Sequence, residues 1–227
     1  MHPVSQSQLT FESDGKRIRI DRFLPATHGG QQRLPAVVGL HGAGGSSERM
    51  AEPAILLAAH GLAVYVLHYF DRTETIRADD KGTIVRHFFV WAKTVWNAIG
   101  LVAQQPEVDS NRIGLLGFSL GAYLALSVAA VDARVQVVVE FFGGMPKELK
   151  FFTRRLCPVL ILHGDADQTV PVQEAFDLQK ILEKKRIPYE MQIYPGIGHS
   201  FTAEIWKDAG ARSLAFLQKQ LARHDSP

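Results

Sequence analysis

The chain has 227 residues, 46% hydrophobic and 21% charged, which is length and composition for one globular domain with a sizeable core. A formal net charge of +2, carried by scattered basic residues, argues against nucleic acid or an anionic membrane as a partner. The opening "MHPVSQSQLTFESDGKRIRI" has no secretory-signal pattern, no apolar stretch is long enough to span a bilayer, and the one cysteine, Cys157, has no internal partner, so the cytoplasm is the expected location.

In chain order, residues 1–8 are expected to be flexible, as are 223–227, leaving a single domain over 1–227. Lys16 to Phe23, "KRIRIDRF", alternates and suits a half-exposed antiparallel strand near a sheet edge. Ala26 to Arg33, "ATHGGQQR", reads as a flexible surface turn. Strands then follow at Ala36 to Leu40, Ala63 to His68, Arg112 to Phe118, Arg134 to Phe141, Pro158 to His163 and Glu190 to Tyr194. Between and after them, helices are expected at Glu48 to His60, Thr83 to Gln104, Leu120 to Val131, Val172 to Lys185 and Phe201 to Leu221. Several strands are apolar on both faces, as parallel strands covered by helices are, so the fold class is an open three-layer α/β sandwich. Phe88, Trp91, Ala92, Val95 and Ile99 share one helix face and read as core. No internal repeat or low-complexity tract is present.

The motif "GFSLG" at 117–121 stands between a buried strand and the helix "LGAYLALSVAAV". A sharp strand-to-helix turn there needs glycines beside Ser119 and lifts its hydroxyl clear of the sheet. A serine hydroxyl needs a base in reach and an acid to orient that base. His199 in "YPGIGHSF" is the base candidate, and Asp165 and Asp167 in "LILHGDADQTVP" are both acid candidates, two residues apart in one turn. The order Ser, Asp, His is that of hydrolases built on a nucleophile elbow. "GLHGAGG" after Ala36 to Leu40 offers backbone N–H groups for a developing oxyanion, with Ala43 and Leu120 as the pair; it lacks the lysine of a P-loop and the spacing of a dinucleotide fingerprint.

These four segments, with "LTFESDGKRIRI", resemble the α/β-hydrolase superfamily and most closely the dienelactone hydrolase family, over nearly the whole chain. The resemblance implies a mostly parallel sheet of about seven to eight strands without a cap domain. It also implies Ser119 as nucleophile, His199 as base and Asp167 as the acid, which stands four residues before Pro171. Dienelactone hydrolases proper carry cysteine where Ser119 stands, glutamate where Gly42 stands, and arginine at the position of Ala203. The fold and triad therefore transfer, whereas the dienelactone substrate does not.

The remaining residues receive plainer readings. Cys157 reads as a small buried residue. His41 and His163 are expected to bond to backbone, and His60, His68 and His87 show no zinc spacing, so neither metal nor cofactor is implied. Gly42, Tyr69, Phe70, Phe142 and Ile197 are candidates to line the pocket, although aromatic residues at strand ends pack in cores equally often. Only "FGGMPKELKFFTRRLC" separates Phe141 from Pro158, too little for an inserted helical cap, which predicts an open site for small substrates. Arg72, Arg77 and Arg86 are the side chains that could replace the arginine absent at Ala203. The expected function is hydrolysis of small carboxylic esters or lactones by a monomer or homodimer. Thioesterase and peptidase activities are alternatives on the same residues, and a non-catalytic binding protein is the alternative class.

Overall fold

Asp14 and Gly15, with φ of 47° and 77°, make a two-residue turn that folds Val4–Ser13 (β1) back onto Lys16–Pro25 (β2). Positive φ at both central residues matches the twist of a hairpin, and Asp-Gly adopts it readily. The computed structural model describes residues 2–26, 33–45, 47–150 and 155–222. Residues 4–8, expected to be flexible, instead pair with β2 from Val4 opposite Pro25 onward. Backbone ladder bonds hold this mostly polar strand, of which Val4, Leu9 and Phe11 pack against the core. Of the turn expected at 26–33, residues 27–32 lie outside the described residues, as does the expected flexible end at 223–227.

The other strands are Leu34–Leu40 (β3), Ala63–Leu67 (β4), Val108–Phe118 (β5), Val135–Phe141 (β6), Val159–Gly164 (β7) and Tyr189–Tyr194 (β8). All eight form one sheet in the order β1-β2-β4-β3-β5-β6-β7-β8. Pairing is antiparallel from β1 through β2 to β4 and parallel elsewhere. Every residue of β4 and β7 is buried, because helices cover both faces.

The helices are Ala51–Ala59 (α1), Lys81–Ala103 (α2), Leu120–Ala129 (α3), Lys147–Lys150 (α4), Gln173–Lys185 (α5) and Ala203–Gln220 (α6), with 3-10 turns at Ser47–Met50 and Tyr69–Thr73. Asp80 starts α2 by accepting the Thr83 N–H at 2.8 Å, and the Thr202 hydroxyl caps α6. One face of the sheet packs against α2, α3 and α5 through Trp91, Val95, Ile99, Leu124 and Leu178, and the other against α1 and α6 through Leu57, Phe216 and Leu217. Trp91, Val95 and Ile99 are fully buried as expected, while Phe88 and Ala92 are only partly covered. Between β6 and β7 the described residues hold no element larger than the single turn α4.

Strand order reverses at β3. The chain leaves β3 through α1 on one face to reach β4, then crosses by α2 on the other face to β5 on the far side of β3. The segments leaving β3 and β5 diverge to opposite faces, toward α1 and α3, and open a crevice at the carboxyl ends of the strands. Open α/β sheets hold their ligands at such a switch point.

Candidate active site

Ser119 links β5 to α3 with φ 52° and ψ −116°, outside the regions that residues with a Cβ normally occupy. Such a backbone costs about 1–3 kcal/mol and persists only where the surroundings enforce it. Here the Ser119 N–H donates to the Phe141 carbonyl at 2.8 Å, and its own carbonyl accepts the Ala122 N–H at 2.9 Å. A Cβ at Gly117 would lie 2.4 Å from the Gly121 carbonyl oxygen, and one at Gly121 would lie 2.3 Å from that of Leu40. Only glycine lets β3, β5 and the start of α3 meet this closely, and their meeting pushes the Ser119 hydroxyl outward.

The loops after β7 and β8 come together in front of it. A Cβ at Gly164 would be 2.1 Å from the Ile197 carbonyl oxygen, which also accepts the Ala166 N–H at 3.0 Å. The Ser119 hydroxyl donates to His199 Nε2 at 3.0 Å, and His199 Nδ1–H donates to Asp167 Oδ2 at 2.7 Å. The Asp167 carboxylate is wholly buried, and its other oxygen accepts the N–H groups of Thr169 at 2.8 Å and Val170 at 2.9 Å. Asp165, the second acid of the turn, is exposed and accepts the Gly196 N–H at 2.6 Å. Behind the turn, His163 Nε2–H donates to the Val170 carbonyl at 2.9 Å, and burial lowers the pKa of this ring. Phe142, itself at φ 55°, packs its ring 5.2 Å from that of His199.

The loop after β3 closes the crevice from the other side. The Gly42 carbonyl accepts His41 Nδ1–H at 2.8 Å and the Gly45 N–H at 3.1 Å. In a planar trans peptide the carbonyl and the following N–H point in opposite directions, so holding the Gly42 oxygen aims the Ala43 N–H. Neither that N–H nor the Leu120 N–H donates to another described residue. A Cβ at Gly42 would sit 3.4 Å from Ser119 Cβ, which places this peptide beside the hydroxyl. Burial brings the His41 pKa down to about 4, which keeps the ring neutral as an Nδ1–H donor.

A model of the dienelactone hydrolase family matches residues 23–219. The chain belongs to the dienelactone hydrolase family. A "probable 2-oxo-3-(5-oxofuran-2-ylidene)propanoate lactonase" from Bradyrhizobium sp is 26% identical over 192 residues, covering 78% of this chain and 77% of the relative. Acyl-coenzyme A thioesterase 6 of Mus musculus is 35% identical over 115 residues, covering 50% of this chain and 24% of the relative, so this chain aligns with about a quarter of that protein. Among solved structures, a dienelactone hydrolase-like promiscuous phosphotriesterase from metagenomic libraries superposes with a TM-score of 0.82 at 17% identity, over 96% of this chain and 99% of that one. At that identity the likeness speaks for the fold.

In this member of the dienelactone hydrolase family three candidate pocket residues are buried in the core: Tyr69 at 0% exposure and Phe70 and Phe142 at 4% each. The Tyr69 hydroxyl donates to the His41 carbonyl at 2.7 Å and its ring stacks on the His41 ring at 4.1 Å, so it supports the loop from beneath. Gly42 and Ile197 remain partly accessible, and Phe142 is buried at 4% against His199. Sequence reasoning passed over the half-buried pair Phe118 and Trp206, whose rings meet at 5.5 Å beside the elbow. It also passed over Glu140, a fully buried carboxyl in β6 whose Oε2 accepts the Gly143 N–H at 2.8 Å and whose Oε1 has no partner among the described residues. A lone acid inside "VVVEFF" was the available signal. Ala203 opens α6 on the surface. Arg72 pairs with Asp14 at 3.5 Å and Arg77 with Asp79 at 3.0 Å, while Arg86 lies exposed on α2. Cys157 is a buried free thiol whose pKa burial pushes up to about 12. Among the described residues no group of three or more His, Cys, Asp or Glu could hold a metal ion, and no helix is long and apolar enough to cross a membrane.

Proposed function

We propose that this protein is a serine hydrolase that cleaves small carboxylic esters or lactones through an acyl-enzyme. The observation that carries the reading is the hydrogen-bonded chain from Ser119 through His199 to buried Asp167, at 3.0 and 2.7 Å, set on a strained elbow. Ser119 Oγ attacks the carbonyl carbon as its proton passes to His199 Nε2. The oxyanion that forms is met by the Ala43 and Leu120 N–H groups. Collapse expels the alcohol oxygen, which takes the proton from His199; a water then gives its proton to the same nitrogen, attacks the acyl carbon and restores Ser119 as the acid leaves. Asp167 holds the tautomer of His199 that keeps Nε2 an acceptor.

The lack, among the described residues, of any element between β6 and β7 larger than α4, the pairing of Arg72 and Arg77 with acids of their own, and Ala203 favour small neutral substrates. Thioesters are the second reading, supported by the identity to the mouse thioesterase over half of the chain. We take residues 1–227 to be one domain that works in the cytoplasm as a monomer or homodimer. The test is labelling by a fluorophosphonate probe with mass spectrometry of the adduct, beside turnover of p-nitrophenyl acetate and acetyl-coenzyme A. Adduct on Ser119 with ester turnover is expected; an unlabelled Ser119 in a protein without turnover would favour the binding-protein alternative.

A further inference from the structure

A second chain of the same three residue types lies under the loop after β3. The Ser47 hydroxyl donates to His68 Nδ1 at 3.2 Å, and His68 Nε2–H donates to Asp21 Oδ2 at 2.7 Å. Ser47 ends the loop, His68 follows β4, and Asp21 belongs to β2, opposite Val66 of β4. The acid is held in turn, since Gln8 Nε2–H of β1 donates to its Oδ1 at 2.7 Å. The His68 backbone N–H donates to the Arg19 carbonyl at 3.1 Å, which fixes the ring relative to β2.

The loop needs such an anchor. Gly42, Gly44 and Gly45 give it little intrinsic preference for one conformation, and Gly45 takes φ +73°. From Ser47 a continuous path of backbone bonds leads to the peptide that matters. The Ser47 N–H donates to the Gly45 carbonyl at 3.1 Å, and the Gly45 N–H donates to the Gly42 carbonyl at 3.1 Å, the oxygen whose direction sets that of the Ala43 N–H.

We propose that Asp21, His68 and Ser47 form a positioning relay that holds the loop after β3 so that the Ala43 N–H is aimed at the oxyanion formed on attack by Ser119. Resting on the reading of Ser119 as nucleophile and Ala43 as donor, it assigns these three residues a role in the transition state although none touches substrate. An N–H displaced but not deleted loses part of the hundredfold to thousandfold effect typical of one oxyanion donor, so kcat is expected to fall about tenfold to a hundredfold.

The experiment compares Ser47→Ala, Ser47→Thr, His68→Ala and the Ser47→Ala/His68→Ala double variant with the parent on p-nitrophenyl acetate, with active sites counted by fluorophosphonate labelling. Expected are a lower kcat per labelled site in Ser47→Ala and His68→Ala with KM changed less than about twofold, restoration by Ser47→Thr, and a double variant no worse than the worse single one, because members of one relay do not add. Full kcat per labelled site in both single variants would overturn the relay while leaving Ser119 in place. Loss tracking only the number of foldable, labelled molecules would overturn it too. An unlabelled, inactive parent would instead strike the functional reading beneath it. Ser47→Ala removes one oxygen of a partly buried residue and is the variant to weigh if His68→Ala fails to fold.

Discussion

Two Ser-His-Asp chains stand on either side of the loop after β3, and side-chain geometry alone hardly separates them: 3.0 and 2.7 Å in Ser119–His199–Asp167, 3.2 and 2.7 Å in Ser47–His68–Asp21. Backbone and burial separate them. Ser119 sits at φ 52° beside N–H groups that donate to no described residue, while Ser47 opens the 3-10 turn Ser47–Met50 and spends its N–H on Gly45. The acid of the first chain is fully buried and takes two backbone N–H bonds, whereas the acid of the second is 21% exposed and takes a glutamine side chain. A relay of these residue types is thus not in itself a catalytic device. In the proposed reading, the elbow and the free N–H groups around Ser119 are what set a nucleophile apart from a tether.

The largest effect should come from Ser119→Ala, which is expected to cost on the order of 10⁶ in kcat on p-nitrophenyl acetate, far beyond any change at Ser47. Residual turnover in Ser119→Ala that vanishes on adding Ser47→Ala would erase the distinction between the chains. Next, Asp167→Asn should reduce kcat by roughly 10⁴ by presenting His199 in the wrong tautomer. Asp165→Asn, whose carboxylate bonds the Gly196 N–H and not the ring, should stay near parent values, and Asp21→Asn should fall between; kcat for the three variants ranks the acids, and a larger loss from Asp165→Asn would reassign the acid.

Glu140 sharpens the point that burial alone does not make a carboxyl useful. Burial pushes it up to about 8 from an ordinary 4.5, with one backbone hydrogen bond opposing the shift. Unfolded chains lose this proton from about pH 4.5 while the folded protein keeps it to about pH 8, so the stability this group contributes is present below 4.5 and lost as pH rises through that window. Glu140→Gln, which keeps an acceptor for Gly143, should match the parent near pH 4 and exceed it by on the order of 4 kcal/mol above pH 8. Urea unfolding at the two pH values measures this, and equal stabilities throughout would mean that Glu140 has a partner that the fold hides. The smallest effect concerns substrate charge: without an arginine at 203, a carboxylate substrate loses a partner typically worth roughly 1.5–3 kcal/mol, so kcat/KM should favour a neutral lactone over an anionic dienelactone. The opposite preference would bring Arg86 into the site.

Much of the fold was legible because parallel strands covered on both sides must be apolar on both sides, as β4 and β7 are, and because a helix buries residues at its own period, as Trp91, Val95 and Ile99 show. β1 was missed for the converse reason: "VSQSQLTFES" is an edge strand held by backbone bonds, and its one signal was the Asp14–Gly15 turn. In the site, "GFSLG" was readable because the close approach of β3, β5 and α3 admits nothing larger than glycine at 117 and 121.

By itself, then, the sequence determined the period and burial of the elements, the elbow, and the order of Ser119, Asp167 and His199 along the chain, since each is a local demand on residue size, polarity or backbone freedom. Local geometry left Asp165 and Asp167 equal, the family resemblance chose Asp167, and the fold brings it to His199; tertiary structure alone decided that Tyr69 and Phe70 turn inward and that Asp21, His68 and Ser47 meet across β2, β4 and the loop after β3. Those outcomes depend on the register between strands far apart in sequence, and local residue patterns do not encode register when the partner strand is unknown.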